Sequence, residues 1–283
     1  MELFFANGVL VNTNTDPDSA HKCISINDRA LQYGDGVFET LRIVNGRIPM
    51  WEYHKQRLQN AQDVMALPLD DFFSGWESFI AKHLSGIENA CAKLIVSRGE
   101  GPRGYKIPSQ AQLNWWLSIT DLPNLETKDA CRLTLCRHTL SRQPALAGLK
   151  HLNRLDQVMA RSEWCEQDNF DEGIMFNLDG DVVEGTMSNI FWLKNDLIFT
   201  PDLSQEGVDG CVRNWVINQQ GHKSAVIIEK DAKLDQLLTA DGVFITNSLM
   251  GIRKVTEIDG QMIAHSPTVE ALASTFKQQF IVC

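Results

Sequence analysis

No apolar run in this chain approaches the roughly 20 residues needed to span a bilayer; the longest uncharged apolar stretches are only a few residues. No membrane partner is therefore expected. Basic residues are in deficit, 26 Lys and Arg against 36 Asp and Glu, leaving a formal charge of −10. A nucleic-acid-binding chain normally carries a basic face, so nucleic acid is not an expected partner either. The seven cysteines, at 23, 91, 131, 136, 165, 211 and 283, are odd in number and widely spread. They form no C-x-x-C pair and no His/Cys cluster with zinc spacing, which argues against a disulfide framework and against a metal site. The natural setting for such thiols is a reducing cytoplasm. The N-terminus, MELFFANGVLVNTNTDPD, has neither a basic n-region nor an A-x-A site, so no secretory signal is expected. Low-complexity tracts and internal repeats are also lacking.

What is present has ordinary globular composition. Of the 283 residues, 43% are hydrophobic and 22% charged, far from the range of disordered chains. That length predicts one large domain or two modest ones, with enough chain to bury a core without staples. LFFANGVLV predicts a hairpin around Asn7-Gly8, and VFETLRIVNGRIPMW a strand, an Asn45-Gly46 turn and a return strand. WEYHKQRLQNAQDVMAL places Trp51, His54, Leu58, Ala61 and Met65 on one helical face, ended by Pro68. A second helix is predicted over 71–85, and strands over 92–99 and 113–120, where Trp115 and Trp116 read as core. The clearest composition break, TDLPNLETKDA, marks a linker. The predicted organisation is an N-terminal α/β domain (1–119), a linker (120–125) and a strand-rich C-terminal domain (126–283). The latter reads as a strand RLTLCRH, a helix NRLDQVMARSEWCEQ capped by Asn153, and hairpins around Asp179-Gly180, Asn195-Asp196 and Asp259-Gly260. A helix near 211–219, a strand SAVIIEK, a short helix DQLLTA and a strand GVFITN complete it. Strands throughout with scattered helices make the fold class α+β, not a regular βαβ alternation.

One motif is rejected on physical grounds. Gly99-Glu-Gly101-Pro-Arg-Gly104 fits G-x-G-x-x-G after an apolar strand, with Asp121 further on, which is close to a dinucleotide fingerprint. Its glycines should open a helix that holds a pyrophosphate. RGYKIPSQAQ follows instead, with Pro108 and no apolar periodicity, so the segment reads as a loop.

Four further segments carry a resemblance. They are Asn27-Asp-Arg-Ala-Leu-Gln-Tyr-Gly-Asp-Gly-Val-Phe-Glu-Thr-Leu-Arg42, His54-Lys-Gln-Arg-Leu58, Gly148-Leu-Lys-His-Leu-Asn-Arg154 and Val183-Glu-Gly-Thr-Met-Ser-Asn-Ile-Phe191. In this order and spacing they resemble the fold-type IV family of pyridoxal-phosphate (PLP) enzymes. That family includes branched-chain and D-amino-acid aminotransferases and the aminodeoxychorismate lyases. The resemblance implies a two-domain, D-amino-acid-aminotransferase-like fold with PLP in the interdomain cleft, the cofactor lysine in the C-terminal domain, and a homodimer.

The resemblance also implies roles. PLP chemistry needs a lysine that holds the cofactor as an imine and then shuttles protons, and the family places it at Lys150, with His151 orienting its neighbourhood. A carboxylate must keep the pyridine nitrogen protonated so that the ring serves as an electron sink; Glu184 matches that position. Arg57 resembles the family's phosphate arginine. Cys211 and Val212 open a predicted helix whose free N–H groups suit a dianion, and Asn247 and Ser248 at a strand end match a second phosphate contact. Asn189 is assigned to the cofactor with them. Strand alternation puts Phe38, Thr40 and Arg42 on one face, the face that the family uses to line its pocket. Thr40 is then a catalytic donor near the imine, and Arg42 a carboxylate ligand. Arg98, Arg103 and Tyr105, in the loop RGEGPRGY, are the remaining candidates for the substrate, since guanidinium groups suit carboxylates.

Within the family, GLKHLNRLDQVMAR and SRGEGPRGY are most similar to the lyases. The implied substrate is 4-amino-4-deoxychorismate, and the implied products are 4-aminobenzoate, a folate precursor, and pyruvate. An aminotransferase acting on D- or branched-chain amino acids would share Lys150, Glu184 and Arg57 and stays open as the alternative.

Overall fold

The computed structural model describes residues 2–11, 24–122, 130–219 and 226–281. The chain divides into two units, Met1–Pro123 with Lys150–Asn153, and Asn124–Leu149 with Arg154–Cys283.

The first unit is built on an antiparallel sheet. Its strands are β1 (Glu2–Ala6), β2 (Val9–Leu10), β3 (Gly36–Val44), β4 (Asn89–Ser97) and β5 (Asn114–Asp121), in the order β2-β1-β5-β4-β3. The β1–β2 hairpin turns at Asn7 and Gly8, both at positive φ (47° and 82°), the geometry that a two-residue hairpin favours. Three helices belong to this unit: α1 (Arg29–Tyr33), α2 (Trp51–Met65) and α3 (Asp70–His83). Acids in the first turn of α3 and Lys82 and His83 in its last complement the helix dipole. Phe72, Trp76 and Phe79 of α3 pack on Trp115, and Phe79 also packs on Phe5. The side chains of Leu41, Ile43, Leu94, Leu117 and Ile119 are buried behind them.

The second unit holds a nine-stranded mixed sheet. In chain order its strands are β6 (Ala130–Thr139), β7 (Glu172–Phe176), β8 (Val182–Gly185), β9 (Asn189–Lys194), β10 (Leu197–Pro201), β11 (Val226–Glu229), β12 (Gly242–Asn247), β13 (Gly251–Ile258) and β14 (Gln261–Met262). Spatially they run β11-β10-β9-β12-β13-β6-β7-β8, with β14 on β13. The helices are α4 (Leu155–Arg161), α5 (Cys211–Asn218), α6 (Leu234–Leu238) and α7 (Pro267–Phe280). Leu133, Ile174, Ile190, Trp192, Val243, Ile245 and Val255 form the main core with Leu237 of α6. Among the described residues, no helix is long and apolar enough to cross a membrane.

Several expectations are corrected. The return strand after Asn45-Gly46 is reduced to one bridge, Val44 to Arg47; Pro49 has no N–H to continue a ladder, and α2 starts at Trp51. Strand β5 runs through Asp121, so the expected linker loses residues 120 and 121, and 123–125 lie outside the described residues. Helix α4 is capped at Arg154, not Asn153. Helices α1 and α7 were not anticipated. The segment 98–113 contains no helix, in keeping with the loop reading of its glycines.

The largest correction concerns Lys150, which was expected in the C-terminal domain and lies in the first unit. Strand β3 ends the first sheet, and an open edge presents unpaired N–H and C=O groups. Residues 150–152 cover it: Phe38 N–H donates to Lys150 O at 2.9 Å, and Leu152 N–H to Gly36 O at 3.0 Å. A side chain at Gly36 would obstruct this docking. Its Cβ would lie 2.2 Å from the Val96 carbonyl oxygen and 3.0 Å from Leu152 Cδ1. Gly36→Ala is therefore expected to cost about 1–3 kcal/mol or more, read as a lower urea midpoint; an unchanged midpoint would show that the strand can shift.

Candidate active site

In the first unit, Lys150 is half-buried, and its Nζ stands 4.5 Å from the centre of the Phe38 ring. Phe38 and Thr40 are half-buried on the same strand, and Arg42 is buried. Their neighbour Glu39 points to the opposite face, where α2 meets it. Arg57 Nε donates to Glu39 Oε1 at 2.8 Å, a second nitrogen of Arg57 pairs with Oε2, and His54 Nδ1 lies 2.7 Å from that oxygen. All three side chains are buried. Burial by itself would push the Glu39 carboxyl up; the charges and hydrogen bonds of Arg57 and His54 outweigh it and hold the group at about 2. Arg57, assigned at the sequence level to a phosphate, is thus first of all the counter-ion of Glu39.

Arg98 is a clearer correction. Its Nε and one Nη grip both oxygens of Asp35 at 2.8 and 3.0 Å, and it also donates to the carbonyls of Ala66 and Met65 at 2.8 and 2.7 Å. It is 2% exposed. This guanidinium ties the end of α2 to Asp35 and is not presented to a substrate. Asp35 also takes Arg29 Nε at 2.7 Å, and Arg29 reaches on to the carbonyls of Gly104, Tyr105 and Lys106. Burial opposes the ionised form of Asp35, but its two arginines outweigh that and keep its carboxyl below the usual range. The loop bearing Arg103 and Tyr105 is therefore pinned through its backbone while both side chains stand exposed.

In the second unit the residues converge on the backbone of one residue, Val208. Glu184 is buried, and its Oε2 accepts from Val208 N–H at 2.8 Å. Asn189 Nδ2 donates to Val208 O at 2.8 Å. Gly148, two residues before Lys150, brackets the same stretch by bonds to Gly207 O (3.0 Å) and from Asp209 N–H (2.9 Å). Gly210 then opens α5 with no side-chain cap. Its Cα lies so close to Asn189 that a Cβ would sit 1.9 Å from Oδ1. The first N–H groups of a helix have no intrahelical acceptor, and here they belong to the buried residues Cys211, Val212 and Arg213. Asn189 pairs directly with Thr246 across β9 and β12, so the two side chains share a face. The Thr246 hydroxyl is buried and meets no partner among the described residues. An uncapped buried helix start and an unpartnered buried hydroxyl on the Asn189 face form a donor set that fits a phosphate.

Two assigned residues do other work. Asn247 Oδ1 accepts from the N–H groups of Leu249 and Met250 at 3.0 and 2.9 Å, so its side chain builds a turn beside half-buried Ser248. Asn189 shapes the 208–210 backbone. Glu172 was missed altogether: buried on β7, it accepts from the N–H groups of Gly173, Thr186 and Met187 and from the hydroxyls of Thr186 and Ser188, at 2.5–3.0 Å. It organises the turn that follows Glu184.

The class IV aminotransferase family model matches residues 36–258. The chain is 32% identical over 246 residues to an aminodeoxychorismate lyase of Vibrio harveyi, covering 83% of this chain and 87% of that one. The solved structure of 4-amino-4-deoxychorismate lyase from Pseudomonas aeruginosa is similar at a TM-score of 0.86 and 34% identity, over 98% of both chains. A putative branched-chain-amino-acid aminotransferase of Methanocaldococcus jannaschii is 29% identical over 260 residues, 91% of this chain and 90% of that one. The chain belongs to the class IV aminotransferase family, with the fold-type IV α+β architecture. That family is PLP-dependent, and the two lyases just described resemble this chain more strongly than that aminotransferase does.

Two expectations follow from the buried charges. Replacing Glu39 by Gln strands Arg57 and His54 and should cost about 3–5 kcal/mol at neutral pH. Because the folded-state carboxyl is held low, the stability it contributes is whole above about pH 4.5 and is lost as pH falls toward about 2; acid titrations of wild type and variant should converge there. Arg98→Lys keeps the charge but loses the fork. It should cost about 1.5–3 kcal/mol of stability and leave KM within about twofold; a large KM rise with an unchanged unfolding midpoint would return Arg98 to the substrate.

Proposed function

We propose that this chain is a PLP-dependent lyase that converts 4-amino-4-deoxychorismate to 4-aminobenzoate and pyruvate, acting as a cytoplasmic homodimer in the supply of a folate precursor. The observation that carries the reading is the placement of Lys150. Its backbone is fixed to the β3 edge, its ammonium stands against Phe38, and it lies within a segment shared with the lyases.

The roles follow from the residues. Bound PLP supplies an aldehyde for amines and a ring that accepts the electrons of a broken bond. Lys150 would hold it, and once its Nζ is released as an amine it would take the proton from C4 of the substrate. Glu184, whose carboxylate is fixed by Val208 N–H, would keep a proton on the ring nitrogen. The start of α5, with Thr246 and Ser248, would hold the phosphate, and Arg57 would add positive charge. Thr40 would donate a hydrogen bond beside Lys150, and Phe38 would cover Nζ on one side and exclude water. With the C4 proton removed, the C3–O bond would break, the departing enolpyruvate would take up a proton to become pyruvate, and the ring would become aromatic, which makes the step effectively irreversible.

The test is a product assay. Protein given PLP and aminodeoxychorismate should release 4-aminobenzoate with no keto-acid acceptor present, and Lys150→Ala should lower the rate by at least about a thousandfold. Turnover that requires an acceptor and yields no 4-aminobenzoate would favour the aminotransferase reading instead.

A further inference from the structure

The function proposed above gives no role to Glu172, and the inference drawn from this acid rests on the PLP part of that function. Glu172 is 3% exposed at the start of β7. Among the described residues no cation pairs with it, so hydrogen bonds alone compensate its burial. Oε1 accepts from the N–H groups of Gly173 and Thr186 at 2.9 and 3.0 Å and from the Thr186 hydroxyl. Oε2 accepts from Met187 N–H at 3.0 Å and from the Ser188 hydroxyl at 2.9 Å. All of these donors except Gly173 lie in the turn that joins β8 to β9, which Gly185 N–H closes onto Ser188 O at 2.6 Å. Opening the turn would strand a buried carboxylate, so the acid and the turn hold each other.

The turn touches both halves of the expected cofactor site in the second unit. Only Gly185 separates it from Glu184, the acid for the ring nitrogen, and Asn189 follows it directly. Sideways, Met187 O accepts from Asn247 Nδ2 at 3.3 Å, and Asn247 Oδ1 takes the N–H groups of Leu249 and Met250. The turn around Ser248, a phosphate candidate, is thereby tied to the one that Glu172 fixes. We propose that Glu172 is a positioning residue for PLP: by locking residues 185–188 it sets Glu184 for the ring nitrogen and Ser248 for the phosphate. A carboxylate suits the task because it accepts at both oxygens. An amide in its place would turn an NH2 group toward one set of donors.

The experiment compares PLP-loaded wild type with Glu172→Gln, Ser188→Ala, the double variant and Leu237→Ala. Leu237 belongs to the main core on α6, so its variant lowers stability without altering the turn. The quantities read are the Kd for PLP, from the violet absorbance retained on dilution, the urea midpoint, and kcat and KM at saturating PLP. Glu172→Gln should raise the PLP Kd by about tenfold and lower kcat by about tenfold, with KM within about threefold. Ser188→Ala should raise the Kd by about threefold in the wild type and add little in the Glu172→Gln background, the sign of a shared pathway. Leu237→Ala should keep the Kd within about twofold despite a lower urea midpoint. A Glu172→Gln protein that holds PLP as wild type does, or no worse than Leu237→Ala, overturns the proposal. Should Glu172→Gln fail to fold, Ser188→Ala decides, and an unchanged Kd overturns it. The two readings fail separately. Wild type that holds PLP but makes no 4-aminobenzoate removes the lyase reading and leaves the Kd comparison to judge Glu172. Wild type that makes 4-aminobenzoate, beside a Glu172→Gln variant of unchanged Kd, removes only the role of Glu172. Wild type that holds no PLP removes both.

Discussion

The second unit depends on the backbone of one residue, Val208. Its N–H is taken by Glu184 and its C=O by Asn189, while Gly148 holds the residues on either side. An unmet buried peptide group costs roughly 1–3 kcal/mol, so these partners cannot separate cheaply. The consequence is geometric. The acid assigned to the cofactor ring, the opening of α5 and Gly148 are fixed to a single stretch of backbone. Gly207 and Gly210 serve the same end, since a Cβ at either would lie within 3.0 Å of a neighbouring side-chain atom. Gly207 also adopts φ +88°, in the region that side chains avoid.

The acidic composition takes on a different meaning once the carboxylates are placed. Glu39, Asp35, Glu172 and Glu184 are turned inward or clamped by donors, and each organises a segment: the β3–α2 contact, the 99–108 loop, the turn after β8, and the start of α5. Buried carboxylates persist only where hydrogen bonds or counter-charges surround them, and every one of these has such partners. The arginines drawn into this work, Arg29, Arg57 and Arg98, are correspondingly bound to these acids, although sequence motifs alone present two of them as ligand contacts.

Local signals were legible wherever the chemistry is local. Asn7-Gly8, Asn195-Asp196 and Asp259-Gly260 turn as their residues require, and the apolar spacing of 51–65 gives α2 nearly to the residue. The four family segments carried the architecture. What the sequence hid is long-range pairing. Nothing near Arg98 announces Asp35, 63 positions away, and nothing near Thr186 and Ser188 announces Glu172. The grouping of Lys150 with the first unit is hidden for the same reason, because strand addition to β3 is decided by an open edge more than a hundred residues earlier. Helix α7 carries a local start signal, Ser266 followed by Pro267 at the first helical position.

The central claim is that the Lys150 amine is the group that receives the cofactor. The most direct measurement is reduction of the PLP-treated protein with borohydride, followed by peptide mass mapping. The account predicts one phosphopyridoxyl group, on the peptide containing Lys150, and none on any other lysine. A folded protein that carries the label on another lysine, or carries none, would contradict it.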